Sequence, residues 1–210
     1  MKKFSRVVCL FAFAGMTGCA SVLAPLAKPN VATQTAALRS GEYTLDTTHA
    51  ALLFQIDHLG FSKFSGRFDV FDASLDFDAE NPAAAHLDAT IDMTSLDIAN
   101  EEFTTTLKGP DWFDVERFAR ARFTSTDIAI TGDNTGIVTG ELTLHGVSAP
   151  VTLDVTFNGG ARDRLRGNSY VVGFSAIGEI DRTAFDISRF SGLITDSVSI
   201  EIQAEFIRAN

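Results

Sequence analysis

Between Leu142 and Phe157 the chain reads LTLHGVSAPVTLDVTF, and its apolar side chains fall on every second residue. Leu142 and Leu144 alternate with Thr143 and His145, and Val151, Leu153, Val155 and Phe157 with Thr152, Asp154, Thr156 and Asn158. Successive side chains of a strand point to opposite faces, so this is a hairpin with one greasy face and one wet face. The turn is placed in Gly146 to Pro150, where the missing N–H of Pro150 takes nothing from a ladder.

The same alternation recurs along most of the chain. Tyr43 to Asp46 is a short strand, and Leu52, Phe54, Ile56 and His58 share one face of the next. Lys63 to Asp78 reads as one long strand whose phase flips near Asp72, which predicts a bulge or bend there. Further strands follow at Leu87–Met93, Ala121–Phe123, Ile128–Ile130, Val138–Leu144, Phe174–Ile180 and Val198–Phe206, with a polar loop expected over 159–169. Helical character is confined to 99–118. Asn100 can cap a helix whose first turn holds Glu101 and Glu102, Phe103 and Leu107 share one side, and Gly109-Pro110 ends it.

About eight strands in a meander most simply close into an all-β antiparallel barrel, which leaves no exposed edges. A barrel of that size is either filled by side chains or holds one small ligand. Fifteen of the 18 phenylalanines lie beyond residue 19, and they suit either interior.

Ahead of the strands, Lys2, Lys3 and Arg6 form a basic segment, Val7 to Ala14 an apolar one too short to span a bilayer, and Met16-Thr17-Gly18 precede Cys19. Small residues before a lone Cys resemble a bacterial lipoprotein signal, with Cys19 acylated as the new N-terminus. The expected organisation is a signal peptide over 1–19, a flexible Ala-rich tether over 20–40 with Pro25 and Pro29, and a binding domain over 41–210. The protein is then held at a bacterial membrane through Cys19, with simple secretion as the alternative. Ala20 in place of the Asp often linked to inner-membrane retention favours the outer membrane. The domain itself contains no Cys, hence no disulfide, Cys nucleophile or Cys metal ligand. The formal charge is −10, and −13 once the three leader cations are removed, which argues against duplex nucleic acid as a partner.

Six stretches in order resemble the YceI-like family of polyisoprenoid-binding proteins: YTLDTTHA at 43–50, FQIDHLGFSKFSGRF at 54–68, SLDIANEEF at 95–103, DWFDVERFARARFTS at 111–125, GELTLHGVSAPVTL at 140–153 and GEIDRTAFDIS at 178–188. The resemblance implies an extended lipocalin-like barrel, typically periplasmic, whose inner face encloses an isoprenoid chain of the undecaprenyl-carrier or quinone class. On that reading Phe54, Ile56, Phe68, Leu87, Ile91, Leu142, Leu153, Val155, Phe174, Ile200 and Ile202 form the apolar lining. Two departures bear on the head group. Family members usually carry an Arg-Asp pair and a His in the helical insertion, where this chain has Phe103, Thr104 and Thr106, and the Ser that commonly follows the first His is here Ala50.

Candidate polar groups are few. His49, His58 and His145 match positions the family favours, and a meeting at one end of the barrel would give a head-group contact or, in an enzyme acting on such lipids, a catalytic site. The plainer reading is that they hydrogen-bond turns at strand ends. None has a helical two-His metal spacing. Arg162, Arg164 and Arg166 make a basic loop suited to phosphate at the rim, or simply a solvated hairpin tip. GFSAIG at 173–178 has the wrong spacing for a nucleophile elbow. The sequence therefore points to a carrier without a cofactor, the bound lipid aside, with an enzyme or a ligand-free envelope interaction module as the alternatives.

Overall fold

The computed structural model describes residues 28–33 and 38–209. The expected signal peptide with Cys19 lies outside these residues, as does much of the expected tether. Within that tether Ala32 exchanges two backbone hydrogen bonds with Gly160, at 3.1 and 2.8 Å. Among the described residues no helix is long and apolar enough to cross a membrane.

The strands are β1 (Gly41–Leu45), β2 (Ala51–His58), β3 (Ser62–Phe68), β4 (Phe71–Phe77), β5 (His86–Asp92), β6 (Leu96–Asp97), β7 (Arg120–Ile130), β8 (Thr135–Leu144), β9 (Val147–Asp163), β10 (Ser169–Asp181) and β11 (Ser197–Arg208). Eight of them, in the order β1-β4-β5-β7-β8-β9-β10-β11, form an antiparallel barrel that closes through β1 and β11. The remaining three lengthen it. Phe206 to Arg208 of β11 pairs with β1, whereas Val198 to Gln203 pairs with β2, and β3 and β6 add on beyond. The expected all-β, lipocalin-like barrel of about eight strands is what the chain forms.

The single α-helix among the described residues, α1 (Glu101–Lys108), begins as its sequence predicts, with Asn100 Oδ1 accepting from Phe103 N at 2.9 Å. It lies by the β2–β3–β6 extension, with the Phe103 ring 5.5 Å from that of Phe64. Phe113, just beyond the helix, packs edge-on against Phe68 at 6.0 Å. This end of the barrel, with the β2–β3 hairpin, the β8–β9 turn and the 182–196 loop, is the helix end. The opposite end carries the 164–168 loop and is the arginine end.

Three local expectations need correction. The β8–β9 turn is only His145-Gly146, and Val147 is already paired with Leu144. Both turn residues have positive φ, 53° and 79°, as a tight two-residue hairpin requires. Pro150 therefore lies within β9 opposite Glu141. Counting outward from the turn places that pair at a non-hydrogen-bonded site, so β8 loses no bond to the proline.

The run from Lys63 to Asp78 is two strands, not one bulged strand, because β3 pairs with β2 and β6 while β4 pairs with β1 and β5. At the break the backbone turns to the 93–95 helical turn for partners. Asp69 N donates to Ser95 O at 3.2 Å and Val70 N to Ser95 Oγ at 3.0 Å.

Residues 159–163 are strand, and the loop is confined to 164–168. The β9–β10 register shifts at Gly173/Phe174, so Asn158 is the extra residue of a bulge, followed by Gly159 at φ 125°. Paired glycines look alike in sequence whether they serve a loop or a bulge.

Gly140 shows how tightly the wall is built. A Cβ there would fall against the Phe123 ring and 2.6 Å from the Thr124 carbonyl oxygen, which is backbone and cannot swing away. Gly140→Ala is expected to destabilise the barrel by about 1–3 kcal/mol in urea unfolding; a loss below a few tenths would show that the wall yields.

Candidate functional site

Inward-facing side chains of the barrel and its extension surround an apolar cavity of about 680 Å³. Period two fixes which residues reach it: along β9 the odd-numbered Val151, Leu153, Val155 and Phe157 line it, and along β11 the even-numbered Val198 to Phe206. All eleven residues expected as lining, Phe54, Ile56, Phe68, Leu87, Ile91, Leu142, Leu153, Val155, Phe174, Ile200 and Ile202, border this space. At about 3.3 Å per residue and a tilt near 40°, the 17 residues of β9 span roughly 40 Å of barrel axis.

The insertion contributes lining that alternation does not reveal. Leu107, Trp112 and Phe113 border the cavity, and so does Leu38 from the stretch read as tether. Leu107 was marked by its helical spacing from Phe103 and the WF pair at 112–113 by its bulk, whereas nothing in sequence marked Leu38.

Among the described residues, ionisable groups at the cavity wall are limited to Asp57 and His58 at the helix end, Asp133 at the arginine end, and Arg182. Arg182 is 4% exposed. Its Nη1 donates to Ile187 O at 2.7 Å and Arg189 O at 2.9 Å, its Nε to Thr195 O at 3.2 Å, and its Nη2 to Asp196 Oδ1 at 2.7 Å. The guanidinium is thus committed to pinning the 182–196 loop across the helix end.

The three histidines do not meet. His49 occupies the β1–β2 corner, with Nδ1 3.0 Å from Asp46 Oδ2 and 2.8 Å from Thr48 Oγ1. His145 holds the β8–β9 turn, its Nδ1 3.1 Å from Phe185 O and its ring 4.6 Å from that of Phe118. His58 ends β2, exposed beside the cavity. Strand-end hydrogen bonding is therefore the role of His49 and His145 in this fold, and a shared catalytic or head-group cluster is not formed.

The basic loop also divides. Arg166 is turned inward against the barrel wall, its Nη2 2.7 Å from Glu205, its Nε 3.2 Å from Asp163 and its Nη1 2.8 Å from Asp46 as an ion pair without an aligned hydrogen bond. Asp46, His49 and Glu205 have ligand atoms within 4.8 Å of one another, but the guanidinium already supplies the cation among them. Arg164 is exposed at the loop tip. Arg162 borders a small, wholly polar hollow with Arg39, Arg208 and Tyr170, and the last two arginines lie too far away in sequence to have been grouped with it. Leu38 and Tyr170 both pack against Gly160, between this hollow and the apolar cavity.

Burial alone would raise the Asp46 pKa, but hydrogen bonds from Thr48 and His49 and the charge of Arg166 hold it below the usual carboxylate range. A depressed folded pKa stabilises the fold above the unfolded value near 4, and that contribution is lost as pH falls through the folded value. Asp46→Asn is accordingly expected to lower stability at pH 7 and to flatten its decline below about pH 4, read by urea unfolding at several pH values. An unchanged acid limb would mean that the corner does not titrate with folding.

Residues 43–206 match the YceI-like domain. The chain belongs to the YceI-like family. Protein YceI of Escherichia coli is 36% identical over 171 residues, covering 80% of this chain and 88% of that protein. The crystal structure of Burkholderia cenocepacia BcnA superposes with a TM-score of 0.69 at 26% identity, over 77% of this chain and 98% of that one. A polyisoprenoid binding domain from Saccharophagus degradans, implicated in plant cell wall breakdown, shares the fold at a TM-score of 0.58 and 14% identity, over 81% of this chain and 100% of that one. Phe103, one of the departures in the helical insertion, pairs with Phe64 at the cavity edge, so the contact made there is apolar.

Proposed function

We propose that this YceI-like protein binds an amphiphile with a long isoprenoid tail, of the polyprenyl phosphate or quinone class, and sequesters or carries it in the bacterial envelope. The observation that carries this reading is the apolar cavity running between the two ends of the barrel, lined by alternate residues of nearly every strand. Its volume suits a single ligand. Each methylene removed from water contributes about 0.8 kcal/mol, so a long tail binds tightly without any catalytic group. Support also comes from the fold shared with a polyisoprenoid binding domain. The leader and Cys19 favour a periplasmic protein anchored by acylation, and mass analysis of the envelope form for an acylated Cys19 tests that part.

Binding rather than catalysis is favoured by the separation of His49, His58 and His145. The head group is constrained as well. Among the described residues Arg182 is the single Lys or Arg on the cavity wall, and its charge is already matched by Asp196. An uncharged quinone ring fits inside whole, whereas a phosphate belongs at the rim. Competition binding with polyprenols of increasing length tests the reading: affinity should climb with each added isoprene unit and level off once the tail outgrows the tube. His49→Gln and His145→Gln should each keep that profile. An affinity independent of tail length would refute tail burial, and turnover of a prenyl substrate abolished by either His variant would favour the enzyme.

A further inference from the structure

The helix end exposes an unusual set of large apolar side chains. Phe61 is 85% exposed, Leu193 66%, Leu59 52%, Phe190 51% and Phe103 39%. They come from three separate elements, the β2–β3 hairpin tip, α1 and the 182–196 loop, which the fold gathers at one place. Phe64 on the hairpin meets Phe103 on α1 at 5.5 Å, and Trp112 just beyond the helix meets Phe190 at 6.1 Å. Val198, at the start of β11, pairs with Ile56 near the end of β2, so the loop preceding β11 adjoins the hairpin.

This crown is continuous with the cavity. His58, Ser62 and Phe64 on the hairpin, Phe103 on α1, Trp112 and Ile194 all line the cavity, interleaved in sequence with the exposed residues. At the arginine end the exposed apolar residues are fewer and lie among charges: Leu165 stands between Arg164 and Arg166, and Ile130 borders the cavity close to Asp133.

We propose that this crown docks the helix end of the barrel on the surface of a lipid bilayer, with Phe61 and Leu193 entering the acyl boundary so that the cavity opens toward the membrane. The proposal rests on the cavity's being a lipid site, and it names the surface from which that lipid is exchanged. Large apolar side chains gathered at the mouth of a lipid-sized cavity mark a contact surface, and tips carried on three separate elements suit a soft acyl boundary that closes around each of them. Charge does not supply the attraction. Asp57, Glu101, Glu102 and Asp111 outnumber Lys63 and Arg189 around the crown, and Arg189 is already paired with Asp111 at 3.2 Å. Docking is therefore apolar and needs no anionic lipid.

Trp112, the single tryptophan of the chain, sits against Phe190 within the crown and reports on the contact. The test uses the chain from Ala20 onward, so that neither the apolar leader nor an acyl group contributes, with phosphatidylcholine vesicles containing a nitroxide-labelled phosphatidylcholine. Quenching of Trp112 that persists at high salt is expected, and Phe61→Asp/Leu193→Asp should weaken vesicle binding at least tenfold. Neither residue lines the cavity, so the double variant should bind a polyprenol in solution as the parent does. Equal vesicle binding by parent and variant, or none by the parent, overturns the proposal. So does a parent dimer that the double variant abolishes without any vesicle binding, which would make a second copy the occupant of the crown. Vesicle docking as expected but no polyprenol binding would leave the docking surface standing and remove the cargo.

Discussion

Val155→Trp is expected to leave the barrel folded while weakening binding of a long prenyl tail by about two orders of magnitude or more. Val155 lies midway along β9, faces the cavity, and is flanked across the ladders by Gly136 on β8 and Ala176 on β10. Neither neighbour has bulk for an indole to displace, so the ring projects into the lumen rather than pushing the wall apart. An obstruction that keeps only four methylenes in water forfeits about 3 kcal/mol at 0.8 kcal/mol each, or about a hundredfold in affinity. Displacement titration of a bound polyprenol, with a thermal melt to show that the fold persists, measures both halves. Unchanged affinity would mean that the tail does not pass this section of the tube.

Arg182→Ala carries the largest expected cost to stability, about 3 kcal/mol or more by urea unfolding. The side chain is buried, and its loss strands the carbonyls of Ile187, Arg189 and Thr195 while leaving Asp196 without its partner. Breaking a buried pair from one side costs about 3–5 kcal/mol, and the 36% exposure of Asp196 lets water relieve some of it, which places the value toward the lower bound. Because the guanidinium ties the 182–196 loop across the helix end, ligand retention should fall as well. A loss under 1 kcal/mol would mean that water takes over those carbonyls without penalty.

The wall of the tube was legible in sequence because strand geometry forces it. Once Leu142, Leu153 and Val155 are placed inside by alternation, the barrel has no freedom to turn them out. Helix α1 was legible for a similar local reason, with Asn100 as cap and Gly109 as stop. The breaks in the strands were not. The corner at Asp69–Val70 depends on Ser95, a residue 25 positions away from Val70, and nothing in the local run announces that partner. The polar groups were the least legible. Arg166 sits in a loop that looks solvated, yet it is fixed by Asp46 and Glu205 from distant strands, while Arg39 and Arg208 join Arg162 only because the two ends of the domain meet at one rim. Pairings of that kind belong to the closed barrel and have no signature in any single stretch.

Native mass spectrometry of the protein isolated gently from the bacterial envelope tests the central idea most directly. A hollow, oily tube predicts a polypeptide that flies with one additional mass, which dissociates to yield a prenyl lipid and which Val155→Trp fails to retain. A bare polypeptide mass that stays bare after incubation with prenyl-lipid vesicles would contradict it.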